Sequence, residues 1–249
     1  MATYRDVGVV LRTRGLRGDD RLYSVFTEEH GKVSLLAKGM RKTRSKMSPH
    51  MATFGTVEIM VARGRQFDRL AGASLTATHR NIVSSLERTA TVQSLLLAVD
   101  SLTRRELPEP RIFWLLQEFM AVMDGDLPAG GGRQVMNAAM VKLFDVLGFG
   151  LEIDVCVGCR GAIGFDGSAL NVLRGGVECR RCRSGTSLGI MGDTVKVLRF
   201  LRRERLSRTA LLRLTEQVRD QVSFVVDLLA TSNLEARFDP LRYLESLRV

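Results

Sequence analysis

Lys32-Val33-Ser34-Leu35-Leu36-Ala37, running into Lys38-Gly39-Met40-Arg41-Lys42-Thr43-Arg44-Ser45-Lys46, is the stretch on which the fold turns. Its first half alternates Val33, Leu35 and Ala37 with other residues, the period of a half-buried strand. Its second half holds five cations in nine residues and no acid. Like charges packed this closely repel one another and cannot be buried without partners, so the strand must deliver them to a solvent-facing loop.

Upstream, residues 4–14 (YRDVGVVLRTR) alternate Val7, Val9 and Leu11 with Gly8, Val10 and Arg12, which predicts a first strand with its apolar set on one face. A turn at 16–20 leads to a second strand at 21–27. Glu28-Glu29-His30-Gly31 closes a hairpin there, with Gly31 free to take the positive φ of a tight turn. Downstream, Thr56–Ala62 sets Val57, Ile59 and Val61 against Glu58 and Met60, and 67–73 is the fifth strand. Five short strands with a long loop after the third fit a small barrel: an OB-fold first, an SH3-like barrel as the alternative. OB barrels stack bases on aromatics beside cationic rims, and Tyr4, Tyr23, Phe26, Phe54 and Phe67 are available for core or for stacking.

From Asn81 the period becomes helical. One apolar-faced helix runs to Leu102, and a second opens at Glu109-Pro110 and carries Ile112, Trp114, Leu115 and Phe119 into the core. After a glycine-rich connector at 125–132, a third spans 133–147. Gly192-Asp193 opens a helix with Lys196, Arg199, Arg202, Arg203 and Arg205 on its polar side, a second candidate anion-binding surface. A long helix over 209–230 and a short amphipathic one over 234–247 complete the chain.

The chain is 249 residues long, with a net charge of +10 that is unevenly spread. Residues 1–80 carry +8 and residues 156–208 carry +7, with acidic or neutral stretches between and after. Two basic regions make nucleic acid the leading partner, ahead of an acidic protein tail or an anionic membrane surface. The start lacks a secretory signal and no apolar run approaches the length of a membrane span. The expected address is therefore the cytoplasm, associated with the nucleoid.

All four cysteines fall in one segment: Cys156-Val157-Gly158-Cys159, nineteen residues, then Cys179-Arg180-Arg181-Cys182. This is zinc-ribbon spacing, and each pair can point two thiolates at one tetrahedral ion. Four thiolates close the site, leaving no position for an activated water, so the reading is structural zinc and not hydrolysis. Arg180, Arg181 and Arg183 would help hold the thiolates as anions. The predicted domains are a barrel at 1–80, a first helical part at 81–155, a zinc module at 156–185 and a second helical part at 186–249. The fold class is α+β: a five-stranded OB barrel followed by an α-helical domain with an embedded four-cysteine module.

Taken in order, Leu11-Arg12, Asp20-Arg21, Thr27 with Gly31, Ala37-Lys38-Gly39, Ser45 and Phe54 resemble the RecO family of bacterial DNA-repair proteins. So do Lys142-Leu143-Phe144, Leu147-Gly148-Phe149 and the cysteine pairs, and the tail at 238–247. Leu151 departs from the family pattern, where Pro is common. The resemblance implies binding to single- and double-stranded DNA and annealing of complementary strands. It also implies work with RecR and with the C-terminal tail of single-stranded-DNA-binding protein to load RecA. The residues expected to meet phosphates are Arg12, Arg14, Lys38, Arg41, Lys42, Arg44 and Lys46.

Other classes find less support. A zinc-ribbon regulator reading duplex DNA or RNA by sequence would need base-edge contacts that no residue identifies. An enzyme would need machinery: the chain has no G-x-x-x-x-G-K-[ST] loop, and His30, His50 and His79 have no recognisable catalytic partners in sequence. The expectation is a non-enzymatic mediator.

Overall fold

The computed structural model describes residues 2–16, 18–42, 44–51, 53–65, 67–164 and 167–233, so the short helix expected at 234–247 lies outside the described residues. The chain forms two compact units that divide between Asp126 and Leu127.

In the first unit, β1 (Thr3–Gly15), β2 (Arg21–Thr27), β3 (Gly31–Ala37), β4 (Gly55–Ala62) and β5 (Asp68–Thr78) close a barrel in the order β1-β2-β3-β5-β4. All pairings are antiparallel except β3 with β5, the arrangement of an OB-fold. Val25, Val33, Leu35, Ala37, Val57, Ile59, Val61 and Tyr23 fill the interior at alternate positions of their strands, as the sequence period requires. Gly31 takes φ 65°, and a Cβ there would stand 2.1 Å from the Leu107 carbonyl oxygen, so only glycine suits this corner.

β1 departs from simple alternation. Val10, not Val9 or Leu11, belongs to the barrel core, although all three are fully buried. Val9 and Leu11 lie outside that core, on the strand against which α2 (Leu86–Leu102) packs. Val10 pairs with Val25 but Arg12 pairs with Ser24, so Leu11 is an extra residue in a β-bulge. Because a one-residue slip exchanges the two faces of a strand, the bulge carries Arg12 and Arg14 to the outer face.

The expected single helix from 81 to 102 is broken. A four-residue turn, α1 (Arg80–Val83), precedes α2, whose N-cap Ser85 accepts a hydrogen bond from the Arg88 amide at 3.4 Å. α3 (Pro110–Asp124) begins at its proline as expected, with the Glu109 carboxylate accepting from the Arg111 amide. Trp114, expected in the core, is 57% exposed and meets Phe113 edge-on. The neighbouring Phe113, Leu115 and Leu116 take the buried face instead. These helices share the barrel's compact unit, whereas the sequence placed them with a separate helical domain.

The second unit holds α4 (Gly131–Val146), a three-stranded sheet of β6 (Ala169–Asn171), β7 (Gly176–Glu178) and β8 (Leu188–Gly189), then α5 (Gly192–Arg203), α6 (Leu206–Thr209) and α7 (Glu216–Asn233). The long helix expected from 209 starts later, at Glu216, because the chain spends residues 206–209 on a separate turn. Fully buried Val135, Ala138, Ala139, Met140, Leu143 and Phe144 of α4 face the apolar sides of α5 and α7. Burying Val135, Met140, Leu143 and Phe144 contributes about 1.5–3 kcal/mol each against exposure.

Candidate nucleic-acid interface and metal centre

The loop between β3 and β4 is fastened at its apolar residues and free at its charged ones. Met40 and Met51 are buried among the barrel's core side chains, with Met47 packed against them. Between Gly39 and the β1–β2 turn, the Gly39 amide donates to Asp20 Oδ1 at 2.8 Å and the Arg41 amide to the Asp19 carbonyl at 3.0 Å. Gly39 itself adopts φ 65° to make this approach. The cations stand outward: Lys38, Arg41, Lys42, Arg44 and Lys46 are all exposed. Among the described residues none of the five has a carboxylate within ion-pair distance. Asp19 and Asp20 line the same depression as Lys38, Lys42, Arg44 and Lys46, and Asp20 spends one carboxylate oxygen on the Gly39 amide.

Arg12 and Arg14 belong to a different place. They share a cleft with Leu22, Ser24, Lys32, Ser34, Asp100, Thr103, Arg104 and Arg105, on the outer face of β1–β3 beside the end of α2. Arg12 is 3.8 Å from Asp100, and Lys32 Nζ donates to the Asp100 carbonyl. Burial draws the Lys32 ammonium's pKa down, with Asp100 opposing and nearby Arg105 adding to the fall. The sequence reading missed Lys32, Arg104 and Arg105. The Arg104-Arg105 pair just past a helix end was the available signal, and it lay hidden in a segment of net negative charge.

The barrel aromatics divide in the same way. Tyr23 and Phe26 are fully buried and can stack no base. Tyr4 is already stacked on His30, ring centroids 4.0 Å apart, with the Arg63 guanidinium over its ring. Phe67 is 40% exposed, and Phe54 is half-buried with φ 64°, a left-handed backbone that a bulky residue seldom adopts.

The basic face of α5 proves to be engaged within the protein. Arg199, Arg202 and Arg203 all reach the Asp154 carboxylate. Arg199 Nε also donates to the Ile153 carbonyl at 2.7 Å, and Lys196 pairs with Asp193 at 2.8 Å. Arg205 precedes α6 as its N-cap and is not on the α5 face. These arginines fasten the approach to the cysteine module, and the expectation of a second open anion surface here is corrected.

The four cysteines meet as their spacing requires. Their sulfurs all lie within 4.8 Å of one another, and Cys159 Sγ is 3.9 Å from Cys179 Sγ. A tetrahedral ion with Zn–S bonds of about 2.3 Å puts its ligands about 3.8 Å apart, so the donor set and its size fit zinc. Burial would push the Cys156 thiol up, but N–H groups of the Cys179, Cys159 and Gly158 backbone overcome it and bring it down to about 6. The thiolate is thus favoured by amides. Arg180, Arg181 and Arg183, expected to help, are exposed and none is among the causes of that lowering. Behind the second pair, fully buried Glu178 accepts from Ser187 Oγ, Arg174 and the Ser184 amide. The Ser187 bond, against burial and with Arg174, holds its carboxyl below the usual range.

No helix among the described residues is long and apolar enough to cross a membrane. Family models described as "Recombination protein O N terminal" and "Recombination protein O C terminal" match residues 1–79 and 83–241. The chain is 32% identical to the DNA repair protein RecO of Frankia casuarinae over 82% of its own length and 83% of that protein's. It is 30% identical to that of Rubrobacter xylanophilus, covering 74% and 73%, and 24% identical to that of Pelotomaculum thermopropionicum, covering 98% and 94%. With both halves matched in chain order, this chain belongs to the recombination protein O (RecO) family, and its role lies in DNA repair and recombination.

Proposed function

We propose that the protein is a non-enzymatic recombination mediator. It binds single- and double-stranded DNA, anneals complementary strands and, with RecR, helps load RecA onto strands coated by single-stranded-DNA-binding protein. The observation that carries this reading is the loop at 38–46, with five exposed cations and no carboxylate partner among the described residues. Held on the barrel by methionines, these five cations outnumber the two carboxylates, Asp19 and Asp20, that line their depression, which suits an external polyanion. Phosphate contacts position a strand without occupying its base edges, which therefore stay open to a complement.

Zinc is the proposed occupant of the four-cysteine site, closing the module and taking no part in chemistry. The tail of single-stranded-DNA-binding protein, acidic and apolar, is a further proposed partner, to be met by apolar surface with a cationic rim. Lys142, a candidate for that rim, donates to the Arg202 carbonyl at 2.8 Å. A labelled tail peptide should gain anisotropy on titration with the protein, and a flat titration would remove that partner.

The deciding experiment mixes complementary strands already coated by their binding protein. The protein should speed their pairing without nucleotide, and Arg41→Glu with Lys42→Glu should abolish the acceleration. Pairing at the uncatalysed rate with the wild-type protein would end the mediator reading.

A further inference from the structure

The cleft that holds Arg12 and Arg14 has a composition unlike an ordinary solvated surface. Five cations, Arg12, Arg14, Lys32, Arg104 and Arg105, surround one carboxylate, Asp100. Asp100 is committed: it accepts from Ser24 Oγ at 2.6 Å and stands within 4 Å of both Arg12 and Lys32. Arg14, Arg104 and Arg105 are exposed and have no carboxylate partner among the described residues. Lys32 is only 12% exposed at its side chain, low in the cleft, and after its bond to the Asp100 carbonyl it retains further N–H donors. Ser34 adds a hydroxyl with no hydrogen-bond partner among the described residues. Holding these charges together costs electrostatic energy that a bound anion would recover.

The cleft is also built where a chain lying on the barrel must stop. Lys32, Ser34 and Leu36 share the outer face of β3, which runs directly into Lys38 and the basic loop. At the other end of that face, the segment after α2 is fixed across the strand. Lys32 pairs with Arg105 as an isolated bridge, and the Glu106 amide donates to the Lys32 carbonyl at 2.9 Å. Leu107 is set against Gly31, as described above. A strand following β3 from the loop meets this wall just past Lys32. The bulge at Leu11 is what turns Arg12 and Arg14 toward the same spot. The space is about 450 Å³, within the range of small-ligand sites and roomier than a bare phosphate requires.

We propose that this cleft binds the terminal phosphate of a DNA strand, a phosphomonoester, while the phosphates that follow run along β3 to the loop. An internal phosphate carries one negative charge, whereas a terminal one carries about −1.5 to −2 near neutral pH. The surplus of guanidinium groups around one depression suits the second. The inference rests on the DNA-binding reading, and the test separates the two.

Oligonucleotides of one sequence, internally labelled, carry a 5′-phosphate, a 3′-phosphate or neither, and are titrated with the full chain by fluorescence anisotropy at about 0.1 M salt. One phosphorylated end should bind roughly tenfold tighter than the unphosphorylated strand. The end that gains identifies the strand's polarity on β3. In Arg104→Ala with Arg105→Ala, changes confined to exposed side chains, the ratio of the two dissociation constants should fall to about one. Arg41→Glu with Lys42→Glu should weaken every oligonucleotide and preserve the ratio. Equal affinity of all three for the wild-type protein overturns the strand-end assignment and leaves the DNA-binding reading intact. Loss of the preference in millimolar inorganic phosphate, with affinity for the unphosphorylated strand retained, confirms that the cleft reads the phosphate group. A preference that persists in the Arg104/Arg105 variant places the end elsewhere and overturns the assignment. Failure of any oligonucleotide to bind overturns the reading beneath it.

Discussion

The loop at 38–46 and helix α5 both gather lysine and arginine, and their cations meet opposite fates. The loop holds five in nine residues with no acid, and α5 holds four in twelve together with Asp193. In α5 the guanidinium groups of Arg199, Arg202 and Arg203 converge on Asp154 and on backbone carbonyls of 151–154, so they act as rivets for the chain entering the cysteine module. In the loop the apolar residues do the fastening and the cations are left with water. A basic segment thus signals a ligand only when its charges are not already spoken for. That depends on partners 45–51 residues away in sequence for α5.

Removing the proposed zinc should disturb α5's side of this contrast most. Cys156→Ser with Cys159→Ser, or a chelator, forfeits binding energy of the order of 10 kcal/mol in modules of this kind. Amide exchange should then rise through residues 151–182 and along α5, while β1–β5 and the loop at 38–46 keep their protection. Uniform loss of protection would show that the two regions are not separately held. Acid should do the same. Protons compete with the ion for the four thiolates, so zinc measured with a chromogenic chelator should be held at neutral pH and released as the solution is acidified.

Reversing Arg41 and Lys42 to Glu should act on the loop alone. Single-strand affinity should fall about 100-fold at low salt, for all sequences alike. The salt slope should shrink from about −3.5, the value for five neutralised phosphates, toward about −2. Thermal stability should move by no more than about 0.5 kcal/mol, because exposed side chains without partners hold nothing in place. An unchanged slope would mean that phosphates never reach this loop.

The smaller effect belongs to Asp154→Ala. It frees three arginines but leaves their carbonyl contacts, and Asp154 is 39% exposed at its side chain, so stability should drop by only about 1–2 kcal/mol in a urea titration. DNA affinity should stay within about twofold of wild type. A large gain in affinity would mean that the released α5 arginines form a second DNA surface after all, erasing the contrast.

Local pattern made much of the molecule legible. The alternation of Val33, Leu35 and Ala37, the glycine at 31 and the spacing of the cysteines each encode their own geometry within a few residues. What escaped depends on longer connections or on a single inserted residue. Apolar residues line both faces of β1, so parity along the strand cannot tell that Val10 fills the barrel while Val9 and Leu11 lie on its other face, and the bulge that sends Arg12 and Arg14 outward leaves no mark in the hydrophobic pattern. Trp114 is read as core by its residue type, yet it lies off the helical stripe of Ile112, Leu115, Leu116, Phe119 and Met123 that fills the buried face. The cleft joins β1, β2, β3 and the segment after α2, so no window of sequence could display it. The seven candidate cations were all identifiable by type. Their division into a loop group and a cleft group was not.

Met40 and Met51 decide how the loop behaves when ionic strength changes. Thioethers packed among Val25, Leu35 and Ile59 are indifferent to counterions, and salts that are excluded from protein surfaces tighten such packing. In concentrated electrolyte the protein should therefore let go of a polyanion without its docking platform drifting or melting, and on dilution it should be ready to grip again with no refolding to wait for.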